Sequence, residues 1–188
     1  MATAVLAVQG AFAEHERRLR ELGENVTELR QGADLEKPFS RLVLPGGEST
    51  VQGKLLAELG MLEGLRERIG AGMPVLATCA GLILLAERLA AHDDKGAARL
   101  ATMDVEVERN AYGRQLGSFR TEAELAGVGK VPMTFIRAPR IVSVGADAQP
   151  LATVEGNIVA ARQDNQLALA FHPELDEDLR IHQLFLSL

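Results

Sequence analysis

The chain has 188 residues, enough for one compact domain with a sizeable core. A formal net charge of -6, no Trp and only 4% aromatic residues argue against nucleic acid or an anionic membrane as main partner. The one cysteine, Cys79, cannot make an internal disulfide, so a reducing cytoplasm is expected.

The N-terminus has no basic region before its apolar run and reads as a strand, not a signal peptide. Ala4-Val-Leu-Ala-Val8 suits a central strand covered on both faces and ends at Gln9-Gly10. Ala11 to Leu22 is expected to be an amphipathic helix. Phe12, Leu19 and Leu22 lie on one side, with Glu14, Glu16, Arg17, Arg18 and Arg20 towards water. Gly23 is a helix stop, and Asn25 to Leu29 a second strand. Together they form a βαβ unit.

Arg41-Leu-Val-Leu44 is the next strand and runs into Pro45-Gly-Gly-Glu-Ser-Thr50. Two adjacent glycines after a strand imply a backbone that another group approaches closely. Ser49 or Thr50 is expected to cap the helix that follows. A phosphate-binding loop does not fit, because the Lys-Ser/Thr pair and the wider glycine spacing are missing. A plain turn is the competing reading. Met61 to Ala71 is a further helix, ended by Gly72 and Pro74.

Val75-Leu-Ala77 then reads as a short buried strand, and Leu82 to Leu89 as an apolar-faced helix. Cys79 sits between them among small residues, Ala77, Ala80 and Gly81, as a sharp strand-to-helix elbow requires. Such an elbow puts the thiol at a helix N-terminus, where backbone N–H groups favour a thiolate. A buried structural cysteine is the alternative for this residue taken alone. Strands alternate with helices down to Leu89, which indicates a doubly wound α/β sheet. Gln9-Gly10, Gly46-Gly47 and Cys79 all lie at carboxyl ends of strands, where such sheets bind ligands.

The second half changes character. His92 to Gly96 is a polar loop, and Met103 to Glu108 and Phe119 to Leu125 alternate as half-exposed strands. Between those strands lies a donor-rich loop, Arg109-Asn-Ala-Tyr-Gly-Arg-Gln115. Val131 to Ile141 is strand-like and interrupted by prolines. Thr153 to Ala161 is a hairpin turning at Gly156-Asn157. Gln166 to Phe171 is a buried strand ending in His172-Pro-Glu174, and Glu177 to Leu186 is a closing helix. In an extended chain His172 and Glu174 would point to one side, so the carboxylate could fix the imidazole while its other nitrogen faces a nucleophile. Cys79, His172, Glu174 and the Gly-Gly loop then supply nucleophile, base, orienter and a possible oxyanion hole. His15, His92 and His182 do not form a metal-ligand spacing and are expected at the surface.

Five segments in order carry a resemblance. They are Pro45-Gly-Gly-Glu-Ser-Thr50, Thr78-Cys-Ala-Gly-Leu-Ile-Leu-Leu85, Arg109-Asn-Ala-Tyr-Gly-Arg-Gln115, Phe135-Ile-Arg-Ala-Pro139 and Phe171-His-Pro-Glu174. They resemble the glutaminase subunits of bacterial pyridoxal phosphate synthases, which are class I, triad-type glutamine amidotransferases. The likeness covers nearly the whole chain. The cysteine and His-Pro-Glu motifs specify the wider class, and the other three segments narrow it. One departure is Ala77, where the family usually has glycine.

The resemblance implies a flavodoxin-like three-layer sandwich, with a mostly parallel central sheet and helices on both faces, forming a single glutaminase domain over 1–188. It implies hydrolysis of L-glutamine to L-glutamate and ammonia. The ammonia would pass to a synthase (lyase) subunit in a large hetero-oligomer that makes pyridoxal phosphate. Cys79 would be the nucleophile, His172 the acid and base, and Glu174 its orienter. Gly47 and Ala80 would supply the oxyanion hole. Gly47, Glu48, Ser49, Arg109, Ile136 and Arg137 would line the glutamine site, with Arg109 meeting the substrate carboxylate. The chemistry needs neither metal nor organic cofactor. A cysteine-elbow peptidase or deglycase on a similar sheet, and a non-catalytic small-molecule module, are the competing readings.

Overall fold

The computed structural model describes residues 2–90, 96–109, 111 and 118–188. Its first half builds a parallel sheet from β1 (Thr3–Leu6), β2 (Val26–Leu29), β3 (Arg41–Leu44) and β4 (Val75–Thr78). These are connected through α1 (Phe12–Glu21), a 3-10 turn (Gly32–Glu36), α2 (Ser49–Glu58) and α3 (Leu62–Gly70). After Cys79 come α4 (Ala80–Leu85) and β5 (Ala86–Leu89), then β6 (Met103–Glu108). The second half adds β7 (Ser118–Leu125), β8 (Gly129–Ile136), β9 (Arg140–Val144), β10 (Gln149–Val154), β11 (Asn157–Gln163) and β12 (Gln166–Leu169). A 3-10 turn (Pro173–Leu175) and α5 (Arg180–Leu186) close the chain.

The large sheet runs in the order β2-β1-β3-β4-β12-β11-β9-β6-β5, with β10 added against β11. Its β2-β1-β3-β4-β12 part is parallel, and β11, β9 and β6 continue it antiparallel. Every residue of β1, β4 and β12 is buried. Such continuous apolar strands need cover on both faces, which gives the three layers. This is the expected flavodoxin-like arrangement, with an antiparallel wing added. Among the described residues no helix is long and apolar enough to cross a membrane.

Outside that sheet, β7 and β8 form a separate antiparallel hairpin. Pro132 is tolerated there because β8 pairs only on one side. The hairpin packs through Phe119 stacked on Phe135 at 4.5 Å, and Phe135 against Phe171 at 5.7 Å. The β10–β11 turn holds Glu155 at φ 49° and Gly156 at φ 79°; two positive φ values make the mirror-image turn that suits a two-residue hairpin. It therefore falls one residue earlier than Gly156-Asn157.

Several expectations need correction. The apolar run after Cys79 is not one helix to Leu89: α4 stops at Leu85 and the chain continues as β5. The Leu84 and Leu85 carbonyls accept instead from the N–H groups of Leu100, Ala101 and Thr102, which ends the helical ladder. Neither Ser49 nor Thr50 caps α2. Glu48 is the N-cap residue, and the Thr50 hydroxyl donates to its carboxylate at 2.8 Å. The closing helix starts at Arg180, whose N–H donates to the Asp178 carboxylate. On α1, Glu16 and Arg18 are buried, not turned to water. Arg18 reaches the Glu174 carbonyl at 3.2 Å, and Glu16 pairs with Arg20. The polar loop at 91–95, including His92, and positions 110 and 112–117 of the donor-rich loop lie outside the described residues.

Candidate active site

Four neighbouring parallel strands end on one rim: β1 before Gln9-Gly10, β3 before Gly46-Gly47, β4 before Cys79, and β12 before His172. Register makes the key meeting. Leu169 of β12 pairs with Thr78 of β4, and the Cys79 N–H donates to the Leu169 carbonyl at 2.8 Å. The ladder thus grips the cysteine up to the point where the chain turns into α4.

Cys79 has φ 50° and ψ -101°, a conformation that costs an L-residue about 1–3 kcal/mol and persists only where the surroundings enforce it. Gly81 is needed for the tight exit, because a Cβ there would run into the Leu44 carbonyl of β3. Ala77 is fully buried within β4, two residues before the turn. Its methyl group packs in the sheet core, and the elbow is tight without a glycine at that position.

His172 is fixed from two sides. Its N–H donates to the Thr134 carbonyl of β8 at 2.8 Å, and its Nδ1 lies 2.6 Å from Glu174 Oε1. Glu174 is not on an extended strand, as the i, i+2 argument assumed. It lies in the Pro173–Leu175 turn and bends back to the imidazole. Nδ1 is thereby occupied, leaving Nε2 as the free ring nitrogen, and His172 lines the same hollow as Cys79. Burial works against the imidazolium, but the neighbouring Cys79 and the hydrogen-bonded Glu174 carboxylate outweigh it and push the His172 pKa up to about 10. Glu174 has no side-chain exposure. Burial opposes its ionisation, yet the neighbouring His15 and His172 bring its pKa below the usual carboxylate value.

The Gly-Gly loop comes close for the reason the sequence suggests. A Cβ on Gly46 would overlap the His172 ring and touch Cys79 Cβ at 3.4 Å. A Cβ on Gly47 would collide with the side chains of Gln9 and Gln52. The loop is further pinned by the Glu48 N–H donating to Gln9 Oε1 at 2.8 Å and the Ala11 N–H donating to the Gly46 carbonyl at 2.9 Å.

Two hollows meet at Cys79. One, of about 100 Å³, is lined by Gly47, Glu48, Ser49, Arg109, Ile136 and Arg137, with Ile83 and Pro139 completing the wall. These six are the residues expected around a substrate. The other, of about 240 Å³, runs past His172 and Gly46 to Gln9, Gly10 and Ala11. Arg109 donates to Glu48 Oε1 at 2.9 Å, so the first hollow carries an opposed pair of charges. Arg137 stands at φ 44°, a second strained residue on this rim. Among the described residues no cluster of His, Cys, Asp and Glu has the geometry of a metal site.

Sequence reasoning misplaced two histidines. His15 and His182 are wholly buried. His15 Nδ1 lies 3.1 Å from His182 Nε2, and its Nε2 lies 3.1 Å from Thr78 Oγ1 and 3.3 Å from Glu174 Oε2. The signal was the helix period: Phe12, His15, Leu19 and Leu22 fall on one face, so the inward stripe includes the histidine.

A model of the SNO glutamine amidotransferase family matches residues 5–188. A relative from Desulfitobacterium hafniense, named pyridoxal 5'-phosphate synthase subunit PdxT, is 62% identical over 187 residues, covering 100% of this chain and 92% of its own. One of the same name from Streptococcus pneumoniae is 54% identical, covering 100% and 97%. A crystal structure of a glutamine amidotransferase superposes with TM-score 0.93 at 40% identity, covering 100% of this chain and 98% of its own. The strand-end constellation and these full-length matches agree: the chain belongs to the SNO glutamine amidotransferase family.

Proposed function

We propose that this glutamine amidotransferase hydrolyses L-glutamine to L-glutamate and ammonia through Cys79, His172 and Glu174, and hands the ammonia to a pyridoxal phosphate synthase subunit. The observation that carries the reading is the His172–Glu174 contact of 2.6 Å, with the same imidazole and the strained Cys79 elbow lining one hollow.

Cys79 Sγ, its proton already held by the His172 imidazolium, attacks the side-chain amide carbon. The tetrahedral adduct carries its negative charge on the former carbonyl oxygen, against the backbone N–H groups of Gly47 and Ala80. His172 passes the proton to the amide nitrogen, the C–N bond breaks, and ammonia leaves a thioester. Water then attacks the thioester carbon, giving a proton to His172. The C–S bond breaks, glutamate leaves after losing its new carboxyl proton to water, and His172 keeps the proton for the next cycle. Throughout, Glu174 holds Nδ1 and stabilises the imidazolium.

Glutamine is a zwitterion at its α-carbon, and the first hollow offers an opposed pair. Arg109 takes the α-carboxylate, Glu48 faces the ammonium, and Gly47, Ser49, Ile136 and Arg137 shape the walls. The named relatives are synthase subunits, which supports a synthase partner for this chain in a hetero-oligomer. The reducing cytoplasm, where a thiol nucleophile stays free, is the proposed location.

Ammonia release from glutamine, measured with and without the synthase subunit and against a peptide substrate, is the test. Release from glutamine that requires Cys79 is expected. Peptide cleavage without glutamine turnover would overturn the reading.

A further inference from the structure

Behind the triad lies a second set of polar side chains that the mechanism leaves unused. His15 projects from α1 into the core, where Thr78 of β4, Glu174 and His182 of α5 surround its ring. Glu174 binds His172 with Oε1, and its Oε2 is buried without a well-formed hydrogen bond; His15 Nε2 lies 3.3 Å from it.

We infer that His15 is a positioning residue for the triad: its Nε2–H, shared between Thr78 Oγ1 and Glu174 Oε2, holds the carboxylate so that Oε1 stays on His172, while His182 fixes the tautomer of His15. The inference rests on the triad reading above.

The tautomer follows from what each ring nitrogen can meet. If His15 carried its hydrogen on Nδ1, a bare Nε2 lone pair would face the Glu174 carboxylate. His182 would then carry its hydrogen on Nδ1, a buried atom with no partner among the described residues. The other arrangement removes the first fault and exchanges an unpaired buried N–H for a bare lone pair. His182 Nε2–H donates to His15 Nδ1, His15 Nε2–H faces Thr78 and Glu174, and His182 Nδ1 is left as a buried lone pair.

The charges around the ring are Glu14 and Arg18 on α1, His172 and Glu174 at the end of β12, and His182 on α5. Burial, the largest influence, lowers the pKa of both His15 and His182 and keeps both rings neutral at pH 7. A neutral donor orients Glu174 without neutralising it, so the carboxylate keeps its charge for the His172 imidazolium.

Glutamine hydrolysis with saturating synthase subunit tests this in His15→Phe and His15→Gln. Losing one donor to a charged group should cost His15→Phe about 10–100-fold in kcat, with KM within about twofold. The acid limb of its kcat/KM profile should also move toward neutral pH, because Glu174 loses a bond that favours its ionised form. Mere loosening would scale the rate and leave the limb in place. His15→Gln puts an amide N–H near the Nε2 position and should restore the limb and most of kcat. Wild-type values in His15→Phe, or no restoration in a folded His15→Gln, overturn the inference.

The tautomer is read without turnover from imidazole ¹⁵N shifts of the labelled wild-type chain. A protonated Nε2 and bare Nδ1 on His15 are expected, and the reverse tautomer or an imidazolium at pH 7 overturns the inference. Failure of the triad reading would show separately, as glutamine turnover retained by Cys79→Ala.

Discussion

Thr78 and Leu169 are Cα partners across the β4–β12 ladder, and the next hydrogen bond, Cys79 N–H to the Leu169 carbonyl, locks the end of one strand to the other. Three residues beyond Leu169 stands His172. Distant chain segments therefore meet through strand register, and a one-residue slip would turn every side chain of β12 to the opposite face. Local geometry then does the rest: the elbow lifts Cys79 out of the sheet, and the Pro173 turn folds Glu174 back beneath the imidazole.

Cys79→Ala should abolish glutamine hydrolysis and leave the fold intact, since the side chain is small and its backbone bond to Leu169 survives. Cys79→Gly should be equally inactive yet more stable than Cys79→Ala by about 1 kcal/mol, because glycine accepts φ 50° without strain. Denaturant midpoints of the two variants check the strain. Turnover by either one would end the nucleophile assignment.

His172→Asn should lose nearly all activity. Glu174→Gln should lose less, because an orienter matters less than the base it orients, but it leaves an amide where two histidines expect a carboxylate. Steady-state rates decide it, and a wild-type rate in Glu174→Gln would remove Glu174 from the triad.

Arg109→Ala should raise KM more than it lowers kcat. The cost is about 1.5–3 kcal/mol for a lost charged hydrogen bond. The pairing of Arg109 with Glu48 at 2.9 Å adds a second expectation. Removing Glu48 should weaken binding of glutamine far more than binding of its des-amino analogue. A pure kcat defect in Arg109→Ala would refute a binding role.

Burial of His15 and His182 makes stability acid-sensitive. In the unfolded chain both rings take up protons near pH 6.5. In the folded chain burial lowers both, His182 to about 3. Below pH 6.5 the unfolded state therefore binds more protons and stability falls as pH falls, by about 1.4 kcal/mol per pH unit for each histidine. His172 acts in the opposite window. Raised to about 10, it stabilises the fold fully below pH 6.5 and loses that contribution as pH rises through 10. Thermal unfolding from pH 5 to 9 should show a maximum near pH 6.5, and His182→Gln should flatten the acid side. An unchanged acid slope in that variant would contradict the neutral-ring reading.

The sheet was legible because β1, β3, β4 and β12 are short runs, each with three consecutive apolar residues, as a covered parallel strand requires. Cys79 and His172 were legible because each follows such a run. The shortening of α4 was not. Nothing in Leu82 to Leu89 reveals that the N–H groups of residues 100–102 will take its carbonyls. The buried histidines were missed for a related reason. His15 has the right period, but only the tertiary partners Thr78, Glu174 and His182 make its burial tolerable.

The Gly46–Gly47 peptide is the expected switch between free and partnered enzyme, because hydrolysis without an acceptor would waste glutamine. Its carbonyl accepts the Ala11 N–H at 2.9 Å, so in a trans peptide the Gly47 N–H points away from Ala11. A flip exchanges these directions, and one oxyanion donor gained or lost is worth about 10²–10³ in kcat. Free and partnered chains should bind glutamine within a modest factor of each other and turn it over very differently. Alanine at Gly47 is a poor probe, since its Cβ would strike Gln9 and Gln52. Ala11→Pro acts on the peptide directly. Ala11 has φ -82°, close to proline's range, and the ring both removes the hydrogen that holds the Gly46 carbonyl at 2.9 Å and puts a carbon in its place, which drives that carbonyl away. The variant should raise synthase-independent kcat and so shrink the activation ratio, with synthase binding unchanged. An unaltered ratio in a folded, complex-forming Ala11→Pro would dismiss this peptide as the switch and leave the triad assignment standing.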